Sequence, residues 1–456
     1  MVWKNVPRYF QMRMVIRLVF SGMLMLIGLV AFRGTALSAT ITVDTTVDEP
    51  LSDPDNGNCS LREAIQSAKT DSSVNADACV IGSGADTVFI PAGFYLLSDE
   101  IVLQSELTLD GEPGTYISGG DATNILRQLS GTLTLQNLTL QNGVSTAGGC
   151  FEQGSSSTTT FSTVVLKNCS TTGRGGAIYS TGGDLIILDS LLQNNAATGN
   201  LSGNNSGGAI YTTGNLTITR TVFNANSVDL SASPGQGGAI HFLGTTLIVE
   251  DSTFERNEAV AGGAIFGNAN ISGSTFFLNS ASNSGGAVFG SSLTVSNSTF
   301  SGNDKGGIYS SGTTVITNST FYANTGAAGI ARQAGTTTVM NTLFYAKSGG
   351  VNCSNGITSA GHNFDNNNSC GFIGPGDLGG TNPLLGVLDW NGGTTRTHAL
   401  LAGSLAIDAG TNTGCPAIDQ RGFPRPKDGN IDGTADCDIG AYEHKPFELF
   451  LPLIMR

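Results

Sequence analysis

Between residues 175 and 345 the chain repeats a fixed pattern of apolar and polar positions. One motif is GGA[IV] followed by an aromatic residue or His. It starts at Gly175, Gly207, Gly237, Gly262 and Gly285, with a shortened GGIY at Gly306. A second is FxxN: Phe223/Asn226, Phe254/Asn257, Phe276/Asn279, Phe300/Asn303 and Phe321/Asn324. Leu192/Asn195 is a variant one turn earlier, and Phe344/Lys347 breaks the pattern at the far end. Between the motifs lie alternating runs such as NLTIT at 215–219 and TLIVE at 246–250. Their period of two reads as strand. A unit of about 22 residues with two or three short strands cannot bury its own apolar face, but a stack of such units can. The pattern therefore predicts a parallel β-helix, each coil hydrogen-bonded to the next.

Stacking gives the fixed letters a reason. The five Phe residues become one internal column. Asn226, Asn257, Asn279, Asn303 and Asn324 become another, whose amides bond to the neighbours above and below. The paired glycines permit a tight turn with positive φ. Tyr179, Tyr211, His241, Phe266, Phe289 and Tyr309 form a further column, either packed in or turned out toward sugar rings. The residue before each S/T-x-F gives Asp189, Arg220, Asp251, Gly273, Asn297, Asn318 and Asn341. Arg220 is expected between two Asp in a surface ion ladder, worth little energy. Insertions at 198–205 and 229–236 lengthen the early coils.

Over roughly 145–350, the joint GGA[IV] and FxxN recurrence resembles the polymorphic outer-membrane protein family. The resemblance implies a right-handed parallel β-helix. That family's autotransporter barrel has no counterpart in these residues, so its secretion route does not carry over. The fold class expected is all-β: a right-handed parallel β-helix solenoid at 101–350. An N-terminal cap at 40–100 contains one short helix, and a disulfide-bearing C-terminal cap covers 351–443.

Residues 59–64 read CSLREA. This resembles the CSLREA N-terminal domain found before secreted β-helix regions. LREAIQSA is one short amphipathic helix that would cover the exposed edge of the first coil. Arg62 and Glu63 are read as capping salt bridges rather than as catalytic. At the other end, DQRGFPRP at 419–426 and CDIGAYE at 437–443 resemble the choice-of-anchor Q domain of bacterial surface proteins, from about 380. That name implies envelope sorting, alongside plain capping of the last coil. Residues 444–456 form an apolar-basic tail.

Residues 1–39 have the layout of a secretory signal peptide. Lys4, Arg8, Arg13 and Arg17 precede the apolar run 18–32, and small residues follow at 36–39. An uncleaved N-terminal anchor is the other reading. Without this segment 16 basic residues face 35 acidic ones, net −19. Such a surface repels phosphate backbones, so nucleic acid is not expected as a partner. Eight cysteines in an exported chain suggest disulfides. Local pairing gives Cys59–Cys79, Cys353–Cys370 and Cys415–Cys437, leaving Cys150–Cys169. A chain secreted to the cell surface, cell envelope or cell outer membrane follows, without a transmembrane helix in the mature chain and expected as a monomer.

Chemistry is sparse. Asp428, Asn430, Asp432 and Asp436 place oxygens at alternate positions around Gly433, a spacing that suits Ca²⁺. Ile439 stands where a bidentate Glu is wanted, and Asp438 is the substitute. A solvated acidic loop is the competing reading, and Asp53, Asp55 and Asn56 are a weaker calcium candidate. The densest charge is Glu250, Asp251, Glu255, Arg256 and Glu258, with His241 one strand earlier. Paired carboxylates run glycoside hydrolysis, yet a solvated face explains these residues as well. GxSxG, P-loop and HExxH motifs are missing from the sequence. The leading reading is a non-enzymatic surface protein presenting a rigid face for adhesion or glycan contact. A polysaccharide lyase or glycoside hydrolase is the alternative, and a structural envelope spacer the third. An acidic cleft beside the long coils would favour the enzyme; a flat Asn/Thr/Ser face would favour binding or scaffold.

Overall fold

The computed structural model describes residues 38–52, 56–74, 78–199, 205–231, 235–326, 328–354 and 356–446. The expected signal peptide, apart from Ser38 and Ala39, and tail residues 447–456 lie outside the described residues, as do Asp53 and Asp55. The chain winds into a parallel β-helix of three sheets. Sheet 1 has 20 strands, sheet 2 has 13 and sheet 3 has six. One coil shows the plan: Ile210–Thr212 and Asn215–Thr219 in sheet 1, Val222–Asn224 in sheet 2, Ser227–Val228 in sheet 3. Each residue pairs with its equivalent one coil on, as Phe223 with Phe254 and Tyr211 with His241.

The alternating runs dictate which side chains enter the core. Leu216 and Ile218 are buried, while Thr217 between them faces out. Phe223, Phe254, Phe276, Phe300, Phe321 and Phe344 form the inner column of sheet 2, each at most 1% exposed. Their rings stack at 4.7–5.2 Å with interplanar angles of 2–15°. The two glycines of GGA[IV] have different tasks. The first sits at φ near +65°, as at Gly207 (+68°). A Cβ on the second, Gly208, would lie 2.1 Å from the carbonyl oxygen of Gly238, so the coils could not approach.

Beside the Phe column runs the asparagine ladder. The backbone N–H and the Nδ2 of each Asn donate to Oδ1 of the next, from Asn195 through Asn226, Asn257, Asn279 and Asn303 to Asn324, at 2.9–3.1 Å. The second Nδ2 hydrogen goes to a carbonyl of the preceding coil, as Asn257 to Phe223 O at 3.0 Å. Asn195 thus joins the ladder, and Cys169 N–H closes it by donating to Asn195 Oδ1. Four disulfides, Cys59–Cys79, Cys150–Cys169, Cys353–Cys370 and Cys415–Cys437, close loops of 17–22 residues. Each contributes about 3 kcal/mol on a chain-entropy account.

Parallel pairing reaches past the motif-bearing region at both ends, from Thr40–Thr42 to Leu378–Gly379. End coils need apolar alternation but not the motif. Helix α1 (Leu61–Thr70) covers the first coils. Ser60 and Glu63 make a reciprocal capping box, and Arg62 binds both oxygens of Asp48 and the carbonyls of Asp99 and Glu100. Among the described residues, no helix is long and apolar enough to cross a membrane.

The C-terminal segment does more than close the last coil. After Gly379 it drops back to the coil of Thr275 and climbs the outer face of sheet 2. Thr275 meets Arg396, Asn297 meets Ile418, Thr299 meets Gln420 and Thr320 meets Ala441, each pair 121 residues apart. The segment therefore advances one irregular loop per coil, in step with the solenoid. This accounts for the corner column that begins Asp189, Arg220, Asp251. Where the segment covers it, the column changes to Asn297, Asn318 and Asn341, whose side chains bond to Ile418 O, Cys415 Sγ and Thr411.

Replacing Asn257 with Leu strips the acceptor from two N–H groups of Asn226 and orphans Phe223 O. The expected loss is about 3 kcal/mol or more in urea unfolding. Asn270→Leu, on an outer face, should change stability by less than about 0.5 kcal/mol.

Candidate functional site

With sheet 2 covered from Thr253 to Leu343, sheet 1 is the long free face. One outward column runs Thr40, Thr87, Thr108, Thr134, Thr160, Ile186, Thr217, Ile248, Asn270, Thr294, Val315, Thr338 and Thr358. The column two residues on adds Ser162, Thr219, Ser272, Ser296 and Thr317, with Glu250 its charged member among the long coils. Strand geometry sets hydroxyls about 4.8 Å apart along the axis and about 6.7 Å along each strand. The face is flat and mostly hydroxyl and amide, interrupted by Ile186, Ile248 and Val315 in the first column and by Phe89, Asp110, Leu188, Glu250 and Met340 in the second.

The aromatic column lies on the same sheet, outside it. Ile178, Ile210 and Ile240 point in, so Tyr179, Tyr211 and His241 point out. Tyr179–Tyr211, Phe266–Phe289 and Phe289–Tyr309 stack face to face at 4.8–5.5 Å. Ring faces are therefore occupied by neighbouring rings, and solvent meets ring edges. This is partly covered stacking rather than a row of open sugar platforms. Tyr211 and His241 are buried, the other four half-buried. Arg174 lies over the Tyr211 ring at 4.8 Å and donates to its hydroxyl. Burial, then the Arg174 charge, brings His241 down to about pKa 4. It is thus neutral near pH 7, with both ring nitrogens lacking partners among the described residues. Beside it a groove of about 310 Å³ is lined by Phe242, Leu243, Phe266, Phe289, Asn268 and Ser291.

The six candidates do not meet in one cleft, and Glu258 lies in the sheet 3 strand Glu258–Ala261. His241 is on sheet 1 and Glu255 is in the sheet 2 strand Thr253–Glu255, with Arg256 at its end. Glu250 and Asp251 occupy the corner between the sheets. Burial, then the neighbouring Glu250 charge, raises the Asp251 carboxyl. Arg220 binds Asp189 through both oxygens at 2.6 and 2.7 Å, leaving Asp251 only as an electrostatic neighbour. Glu255 pairs with Arg256 and, at 2.5 Å, with Arg396 of the covering segment. Arg396 also lies over Phe277 at 4.8 Å, so Glu255 helps fasten that segment.

The loop 428–438 holds itself together with its own oxygens. Asp428 accepts from the N–H groups of Asp432 and Gly433, Asn430 from Asp432, and Asp432 from Thr434. Asp436 accepts from Asn412 Nδ2 at 2.7 Å. Asp438 turns away from them into the interior, accepting from the N–H groups of Asp408 and His444. Among the described residues no three His, Cys, Asp or Glu side chains are set to hold a metal.

Asp438 belongs instead to a buried charge cluster that explains DQRGFPRP and CDIGAYE. Arg421 binds Asp419 at 2.6 Å, and Arg425 reaches Glu443 at 3.4 Å. Asp419, Arg425, Asp438 and Glu443 are at most 7% exposed. Gln420 leaves the cluster for the solenoid wall, bonding Thr299 and Thr275 there and Thr395 of its own segment. Two guanidinium groups face three carboxylates, so neutrality keeps one proton in the cluster. Burial, then the Glu443 charge, pushes Asp438 up to about 8, and burial raises Glu443 too. The sequence carried these letters, but nothing local in it showed that they meet.

The chain matches no protein-family model and no curated protein.

A folded pKa above the unfolded one stabilises most at acid pH and loses that stability as pH rises through it. Thermal unfolding of the C-terminal segment should therefore fall in midpoint from about pH 4 to about pH 8 and level off above that. Asp438→Asn should flatten that slope. An unchanged slope in the variant would place the titrating proton elsewhere.

Proposed function

We propose that the protein is a non-enzymatic extracellular surface module that presents sheet 1 to a polysaccharide or a cell surface. The observation that carries this reading is the flat hydroxyl and amide lattice along the free sheet. Many weak, regularly spaced polar contacts suit adhesion to an extended polymer, whereas a hydrolase needs two converging carboxylates. Four disulfides and the signal-like residues 1–39 support an exported chain. The CSLREA-like start, the polymorphic outer-membrane protein-like repeats and the choice-of-anchor Q-like end support attachment at the bacterial envelope. A Ca²⁺ ion at 428–436 is a separate proposal. It would draw Asp428, Asn430, Asp432 and Asp436 away from their present amide partners.

The test incubates the purified protein with neutral and acidic polysaccharides, with and without Ca²⁺. Retention and release of unsaturated or reducing ends are both read. Retention without turnover is expected, and it should weaken about tenfold when Thr134, Thr160 and Thr217 are replaced together by Glu, which sets three charges into a column that carries none. Turnover abolished by Asp251→Asn would replace this reading with the enzymatic one. Equal retention of the triple variant would move the contact off sheet 1.

A further inference from the structure

The asparagine ladder ends unevenly. At its first step Asn195 Oδ1 accepts from Cys169 N–H, so that end is complete. At its last step Asn324 has acceptors for only part of its donor set. Its Nδ2 donates to Phe300 O at 2.9 Å. In every earlier step the backbone N–H and the other Nδ2 hydrogen go to the next Oδ1, as from Asn303 to Asn324. The next position in register is Lys347, three residues after Phe344. A lysine ammonium offers no acceptor. Asn324 is 6% exposed, and two of its N–H groups have no acceptor among the described residues.

The chain opens at this place. Sheet 3 and its bridges stop at Thr325, and residues 347–350 form a largely exposed turn before pairing resumes at Val351 with Ala328. A cavity of about 610 Å³ fills the missing step, lined by Asn324, Thr325, Lys347, Ser348, Gly349 and Val351. Lys347 is exposed and makes no ion pair among the described residues. The lining holds two inward N–H donors, one cation and three hydroxyl groups, with no carboxylate.

We infer that this cavity is a carboxylate site for a uronic-acid sugar. One carboxylate oxygen takes the place of the missing Oδ1, accepting from Asn324 N–H and Nδ2. The other faces Lys347. Buried N–H groups left without acceptors favour a ligand that supplies one, and charge-assisted bonds to a carboxylate are the stronger kind. The volume lies within the range of small-ligand sites; Ser348 and Ser354 meet sugar hydroxyls, while the Thr325 hydroxyl is held by Asp304 Oδ1 at 3.1 Å. The site lies at the corner between Asn324 and the ends of the sheet 1 strands Ala328–Arg332 and Val351–Ser354, away from Thr134, Thr160 and Thr217, so the two proposals are tested by different variants.

Calorimetry with digalacturonate, glucose and an N-acetylated dipeptide on the purified protein tests this. Saturable binding of digalacturonate is expected, with none of glucose and weaker binding of the dipeptide. Lys347→Glu, an exposed substitution outside the ladder, should weaken digalacturonate at least tenfold. Lys347→Asn restores FxxN and supplies the missing Oδ1. It should abolish binding and raise the unfolding temperature. No binding at millimolar digalacturonate overturns the proposal. So does glucose binding equally well, the dipeptide binding more tightly, or indifference to Lys347→Glu.

Discussion

Everything else in this molecule depends on one hydrogen-bond arrangement: a buried asparagine whose Oδ1 takes two N–H groups from the coil before it. A parallel solenoid must turn a corner every few residues, and each corner leaves backbone donors without a strand partner. Leaving such a group buried and unpaired costs about 1–3 kcal/mol. The ladder removes that cost at six successive coils, for the N–H groups from Cys169 to Asn303. It can do so only if the coils stay in register. That in turn stacks the Phe rings at about 4.8 Å and brings the second glycine of each GGA[IV] under the next coil's carbonyl.

The same register decides which surfaces are free. Because the coils rise in fixed steps, the C-terminal segment can track them at a constant offset of 121 residues. Its buried charge cluster holds the segment together, and Arg396, Gln420 and Ala441 fasten it to sheet 2. Sheet 1 is left as the long accessible face. Its character follows from alternation: inward Leu, Ile and Val enforce outward Thr, Ser and Asn on strands that prefer β-branched residues. A surface built this way is flat and repetitive, and repetition suits a repetitive partner.

The fold was legible because stacking makes sequence neighbours of equivalent residues. Columns in space appear as periods in the chain. Phe223, Asn226 and Gly207 could each be assigned a place from spacing alone. Cys169, which occupies the asparagine position one coil before Asn195, carried no such signal because the letter had changed. The site was less legible for the opposite reason. Charge density around Glu250 to Glu258 is a property of the chain, but two corners and a sheet separate these side chains. Alternate oxygens at 428–436 had the spacing of a cation loop, yet an Asx-rich turn uses the same spacing to hold its own amides. Asp438 and Glu443 gained their meaning from Arg425 and Arg421, which no period connects to them. A faint signal did exist. The corner column changes from Asp189, Arg220 and Asp251 to Asn297, Asn318 and Asn341 where the covering segment begins.

Hydrogen exchange at the backbone amides of Asn226, Asn257, Asn279 and Asn303 tests the central role of the ladder most directly. If it binds the coils into one cooperative unit, these amides exchange together, at the slow rate set by unfolding of the whole solenoid. Rates that differ coil by coil, or that exceed those of Leu216 and Ile218 in the neighbouring strands, would contradict it.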